Sequence, residues 1–172
     1  MVKRCGFFIQ DGALMRKDVI IEWDLGFDKE AKLQYIDRLH TALGEELSPI
    51  VEVTTASNTY LGRCLSPFYT KIKGVSVEEL WPVIKKKSEG VFISGMYEFV
   101  YLQSLTNEQQ SYVLQRKCFT DVFFNPDKAC NTQAKALVVY QLLCLQKKKE
   151  ILGSLMEFTK WYEINGKENI LN

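Results

Sequence analysis

Residues 131–145 read NTQAKALVVYQLLCL, and this stretch decides the fold class. From Ala134 to Leu145 apolar side chains fall on every side of a helical wheel, interrupted only by Lys135 and Gln141. A helix that is apolar all round is buried, and a buried helix needs other elements packed on all its sides. Asn131 stands just ahead as a candidate N-cap. The unbroken run is far shorter than the roughly 20 residues a membrane helix needs, and Gln146 and Lys147–Lys149 close it. The expected centrepiece is therefore a core helix inside a globular domain.

Working outward, Lys17–Asp24 alternates and is rich in β-branched residues, so it predicts a strand. Asp28 opens a helix to about Gly44, with Tyr35, Leu39 and Leu43 at i, i+4 and i+8. Ile50–Thr55 predicts a second strand, Ser57–Ser66 a loop turning at Asn58 and Gly62, and Phe68–Lys73 a third strand ended by Gly74. Ser76 and Glu79 have capping-box spacing. The helix they start contains Pro82, which predicts a brief or bent element. Ser88–Gly95 is a connector, and Met96–Leu105 is helical. Thr106 and Gln109 form a second capping box, for a helix to about Lys117. Phe119–Phe124 is extended and Asn125-Pro126-Asp127 a turn. Glu150–Trp161 predicts a last amphipathic helix, and Lys167–Asn172 a frayed tail. The fold class is α+β (or α/β): one domain over residues 1–172 with a core of about 17–162. A small mixed sheet drawn from the first two-thirds is packed by helices around Ala134–Leu145.

The 172 residues suit one continuous core. With 22 basic and 21 acidic residues the net charge is +1, so no global field draws the chain to nucleic acid or membrane, and any such contact is local. The apolar run Cys5–Ile9 is too short for a signal-peptide core, which predicts a cytoplasmic protein without a membrane span. Five scattered cysteines, with no CxxC spacing, read as free thiols. The single histidine, His40, lies in a helical pattern, and neither a metal site nor a nucleophile–histidine mechanism is expected. No GxGxxG or GxxxxGK[ST] phosphate loop is present. Lys85–Lys87 and Lys147–Lys149 follow helical patterns and read as solvated helix ends, with phosphate contact as the functional alternative.

Chemistry concentrates in polar islands within apolar sequence. They are Leu61-Gly62-Arg63-Cys64-Leu65-Ser66-Pro67-Phe68, Ser76-Val77-Glu78-Glu79, Phe119-Thr120-Asp121-Val122-Phe123-Phe124-Asn125-Pro126, and Asn131-Thr132-Gln133. Taken alone, each is also accounted for by turn and cap chemistry.

In their order these islands resemble the NADAR family, in particular the NADAR antitoxins associated with DarT-type DNA ADP-ribosyltransferase toxins. An LGxxLSxF element is matched at Leu61–Phe68 and an SVE helix start at Ser76–Glu78. An aromatic helix is matched at Met96–Tyr101, a TDxxFNPxK element at Thr120–Lys128, and an NxQA element at Asn131–Ala134. The resemblance implies a hydrolase that cleaves the N-glycosidic bond between ADP-ribose and guanine in DNA, acting as an antitoxin without a cofactor or metal. Its implied catalytic acids are Glu78 and Asp121. Glu79 has a capping role at N3 while Glu78 is free to face a pocket. Asp121 is also explicable as a strand-end aspartate. The implied ligand-binding residues are Arg63, Ser66, Phe68, Asn125, Asn131 and Gln133, with Arg63 equally readable as a solvated loop arginine. Expected partners are ADP-ribosylated DNA or nucleotide and a DarT-type toxin. Cys64, Pro82 and the short connector Ser88–Gly95 depart from the family pattern. They motivate a second reading: a degenerate module that binds ADP-ribose or a toxin without turnover.

Overall fold

A computed structural model describes residues 1–88 and 93–171. Its foundation is a hairpin the sequence reading passed over. β1 (Val2–Gln10) and β2 (Ala13–Ile21) pair antiparallel along their whole length, from Val2↔Ile21 to Gln10↔Ala13. Asp11 and Gly12 both have positive φ, 53° and 73°. This is the two-residue turn whose twist matches that of the strands it joins. The strand expected at Lys17–Asp24 is thus the second half of a longer one that ends at Ile21.

β3 (Ile50–Glu52) and β6 (Cys118–Thr120) complete one side of the sheet, and β7 (Asn169–Leu171) completes the other, in the order β3-β6-β1-β2-β7. β3 runs parallel to β6 and β7 parallel to β2, while the remaining pairs are antiparallel. β7 stands where a frayed tail was expected, so the sheet is not confined to the first two-thirds of the chain, and the core begins well before residue 17. Glu168, just ahead of β7, bonds Lys135 at 2.6 Å and Arg16 at 3.2 Å. A small separate hairpin joins β4 (Lys71–Ile72) to β5 (Val75–Ser76), turning at Lys73 and Gly74 with φ of 50° and 86°. The third strand, expected over Phe68–Lys73, is reduced to these two residues of β4.

Both faces of the sheet are covered. α1 (Lys29–Leu43) lies on one face and buries Tyr35, Ile36, Leu39 and Leu43 against Phe8, Ile21 and Cys118. Asp28 caps it through Ala31 N at 2.8 Å, as its sequence predicts. α6 (Gln133–Leu145) lies on the other face, with Leu137, Val138, Leu142 and Leu143 in one cluster with Cys5, Phe7 and Phe119. The alternation of β1, with Phe7 towards α6 and Phe8 towards α1, is that of a strand buried on both sides. α4 (Met96–Gln103) and α5 (Asn107–Leu114) pack on α6, and α7 (Leu155–Asn165) packs in turn on α4. The all-round apolarity of Ala134–Leu145 is accounted for by these neighbours. The helix expected at Glu150–Trp161 is instead a 3-10 turn, Lys149–Gly153, followed by α7, because Ser154 restarts the helix as an N-cap.

Four other expectations are corrected. Ser57–Ser66 is not all loop: α2 (Tyr60–Cys64) forms within it, because Thr59 accepts from Gly62 N at 3.1 Å as an N-cap. α3 (Val77–Lys87) runs 11 residues through Pro82 rather than stopping early. Pro82 removes the hydrogen bond to the Glu78 carbonyl, a loss the exposed first turn can leave to solvent. Strand β6 ends at Thr120, and Asp121–Phe124 is a turn held by the Asp121 side chain. Thr132, not Asn131, caps α6, accepting from Ala134 N at 3.3 Å. The connector Ser88–Gly95 lies in part outside the described residues.

Candidate functional site

The ends of β3 and β6 build the site. Because these strands are parallel neighbours, the segments that follow them, Val53–Asn58 and Asp121–Phe124, emerge at the same end of the sheet. Asp121 is half-buried there, and its carboxylate is saturated. Oδ1 accepts from the amides of Phe123 and Phe124 at 3.1 and 3.2 Å, and Oδ2 from the Thr132 hydroxyl at 3.1 Å. Burial nevertheless holds the Asp121 pKa above the usual aspartate range, against the pull of these donors. Gln133 donates to the Val53 carbonyl at 3.2 Å, tying the start of α6 to the end of β3.

Glu78 arrives from another direction. Ser76 and Glu79 close the capping box: Ser76 Oγ accepts from Glu79 N at 3.3 Å, and Glu79 Oε2 accepts from Ser76 N at 3.3 Å. Glu78, in the second position of α3, is exposed and takes no part in the cap. Its amide donates to the Pro67 carbonyl at 3.0 Å. That bond docks the SVE helix start onto the LGxxLSxF element. The same element is held from behind by Tyr101, whose hydroxyl donates to the Leu65 carbonyl at 2.6 Å, and by Gln109, which donates to the Cys64 carbonyl at 2.8 Å.

Tyr97 packs between α3 and the rest of α4. Its ring meets Trp81 edge-on at 5.2 Å and stacks with Tyr101 at 6.2 Å. Its hydroxyl is held far above the ordinary tyrosine range, first by burial and then by the charges of Asp121, Glu98 and Glu78.

The family model described as "DarT1-associated NADAR antitoxin" matches residues 3–92 and 85–170. The chain belongs to this family. No curated protein matches it. The two matched segments of the NADAR pattern meet at residues 85–92, the end of α3 and the start of the short connector.

Set on this NADAR fold, the residues implied by resemblance form two groups, and three stand apart. Asp121 and Gln133 meet at the start of α6, where Thr132 bonds Asp121 and Gln133 bonds the Val53 carbonyl. Ser66, Phe68 and Glu78 gather where the α2 element meets the start of α3. Ser66 is buried and its hydroxyl accepts from Phe68 N at 3.4 Å, while Phe68 is 57% exposed. Arg63 turns the other way: its Nη1 donates to the Ser57 carbonyl at 2.8 Å and its side chain lines a pocket with Lys29 and Lys32. Asn125 is used in its own turn, accepting from Asp127 N at 2.9 Å. Asn131 is half-buried and precedes the cap.

One site residue escaped the sequence reading. Glu52, at the end of β3, is buried beside Asp121. Its Oε1 accepts from Thr54 Oγ1 at 2.6 Å and Val122 N at 3.1 Å, and its Oε2 from Thr120 Oγ1 at 2.8 Å. Thr120 Oγ1 in turn stands 2.9 Å from His40 Nε2. Burial, with the charge of Asp121, pushes the Glu52 carboxyl up to about 8. Burial pushes His40 down to about 4. The available signal was a single carboxylate among the apolar and β-branched residues of Ile50–Thr55.

Proposed function

We propose that the protein removes ADP-ribose from guanine bases in DNA, as the antitoxin partner of a DarT-type toxin. The observation that carries this reading is the match to the NADAR antitoxin family, with the Glu78 helix start docked onto the LGxxLSxF element through the Pro67 carbonyl. In the reaction, water adds to the anomeric carbon of ADP-ribose as the bond to the guanine amino nitrogen breaks. The bonding electron pair leaves with that nitrogen, which takes up a proton. Positive charge builds on the sugar as the bond lengthens, and a nearby carboxylate stabilises it. Glu78, exposed and free of the cap, serves as that carboxylate. Asp121, with its raised pKa, is suited to hold or pass the proton.

The test is release of ADP-ribose from a guanine-ADP-ribosylated DNA oligonucleotide by the wild type and by Glu78→Gln. Release by the wild type alone supports the assignment. Release by both removes Glu78 from the chemistry. No release by either folded protein favours the second reading, a NADAR module that binds without turnover. One observation speaks for that alternative: the protein itself already occupies both Asp121 oxygens.

A further inference from the structure

A pocket of about 480 Å³ opens between the start of α1 and the segment after β3. Lys29, Lys32 and Arg63 line it together with Thr55, Ser57 and Asn58. None of these three cations forms an ion pair among the described residues. Of the two acids flanking Lys29 in sequence, Asp28 is engaged as the α1 cap and Glu30 makes no ion pair among the described residues. Arg63 is oriented by the Ser57 carbonyl through one nitrogen, which leaves its other donors for a ligand. A concave site with three unpaired cations and neutral hydrogen-bonding groups has the chemistry of a phosphate-ester site.

Beside it stands an aromatic surface at the same end of the sheet. Trp23 stacks on Tyr35 at 3.8 Å and packs against Phe27 at 6.2 Å and Phe123 at 6.4 Å. Arg4 covers the Trp23 ring at 4.5 Å. Phe27 is 67% exposed and Phe123 40% exposed. Phe123 lies two residues from Asp121, and Phe27 two residues from Lys29. A basic groove next to exposed aromatic faces is the arrangement with which proteins hold single-stranded nucleic acid, phosphates in the groove and bases on the rings.

We infer that this corner binds the DNA strand flanking the modified guanine, with a backbone phosphate between Lys29, Lys32 and Arg63 and bases against Phe27 and Phe123. The inference rests on reading the protein as acting on modified DNA, but its test requires no turnover. A net charge of +1 supplies no general attraction, so this local site accounts for the DNA affinity.

The experiment is fluorescence anisotropy with a short unmodified single-stranded DNA, over a range of salt, for the wild type, the double variant Lys29→Ala/Lys32→Ala, and Phe27→Ala. Free ADP-ribose binding is measured alongside by calorimetry. These side chains are at the surface, and circular dichroism checks the fold of each variant. Losing two phosphate contacts should weaken strand binding about tenfold and flatten the salt slope by roughly 1.4, while ADP-ribose binding holds. Phe27→Ala should weaken strand binding without changing the salt slope. ADP-ribose affinity falling while strand binding holds would assign the cations to the small ligand and overturn the inference. So would a wild type that does not bind the strand, or variants indistinguishable from it. Strand binding that persists in a protein with no glycohydrolase activity would sink the proposed reaction and leave this site standing.

Discussion

The Thr132 hydroxyl stands 3.1 Å from Asp121 Oδ2 and 3.3 Å from Ala134 N, so one side chain both starts α6 and holds a carboxylate of the site. Packing of the core helix and placement of the acid are thereby coupled. Thr132→Val keeps the shape and removes the oxygen. It should cost about 1–2 kcal/mol, the range for losing an N-cap, measured by urea denaturation. Thr132→Ser should restore most of that stability. If Asp121 acts in the reaction, the valine variant should also lose activity at temperatures where it remains folded.

Glu78 and Glu79 are adjacent and should separate cleanly by variant. Glu79→Ala breaks a capping box and should lower stability by about 1 kcal/mol with modest effect on turnover. Glu78→Gln should leave the thermal midpoint within about a degree or two, because a surface change of this kind is usually worth under about 0.5 kcal/mol. Its effect should fall on ADP-ribose release. Equal stability losses in both variants would contradict the division of labour within the first turn of α3.

Glu52 and His40 give opposite pH dependences. The Glu52 carboxyl is raised from 4.5 to about 8, so the folded state holds a proton that the unfolded chain releases, and stability falls as pH rises across that window. His40 is lowered from 6.5 to about 4, so the unfolded chain binds the extra proton and stability is lost as pH falls from 6.5 towards 4. The two slopes cancel between about pH 4.5 and 6.5, leaving the Glu52 decline visible from about pH 6.5 to 8, at up to about 1.4 kcal/mol per pH unit. Glu52→Gln should remove that decline in a denaturation series against pH. His40→Gln should extend it down towards pH 4.5. A Glu52→Gln curve parallel to the wild type above pH 6.5 would refute the neutral buried carboxyl.

Gly62 shows why the LGxxLSxF element carries a glycine. A Cβ there would stand 2.5 Å from the Glu52 carbonyl and press on Ser57 Oγ and Thr59 Oγ1. Backbone cannot move aside as a side-chain tip does, so Gly62→Ala should cost about 1–3 kcal/mol as an overpacked site. It should also disturb the end of β3, visible as altered amide exchange at Val53 and Thr54. A neutral alanine would mean that α2 shifts freely against β3.

Glu168 holds the last strand in place. Burial alone would raise its pKa, but the Lys135 and Arg16 cations outweigh that and hold it below the ordinary range. Glu168→Ala leaves Lys135, whose side chain is only 9% exposed, without its partner. The expected loss is about 2 kcal/mol, below the figure for a fully buried pair because Glu168 is partly exposed. Removing residues 167–172 should cost at least as much in a thermal melt, whereas a truly frayed tail would cost nothing.

Local chemistry was legible wherever a few neighbouring residues decide the outcome. The caps at Asp28, Ser76 and Thr106, and the burial of Ala134–Leu145, follow from side chains competing for nearby amides and from apolar periodicity. The order of the polar islands was enough to indicate the NADAR family. The β1–β2 hairpin also has a local signature, Asp11-Gly12 between two apolar runs. Other features have no local signature. β7 is a strand only because β2 offers an open edge and Glu168 finds two cations from distant parts of the chain. The Glu52 pKa is raised only because folding buries it beside Asp121, 69 positions away in the chain. Likewise, Lys29 and Lys32 of α1 line one pocket with Arg63 of α2, although more than 30 positions separate them in the chain. By itself the sequence determined where α1, α3 and α5 start, which helix is buried and which residues are available for chemistry. The tertiary structure decided which of them meet, because burial and long-range charge depend on how strands pair across the sheet rather than on spacing along the chain.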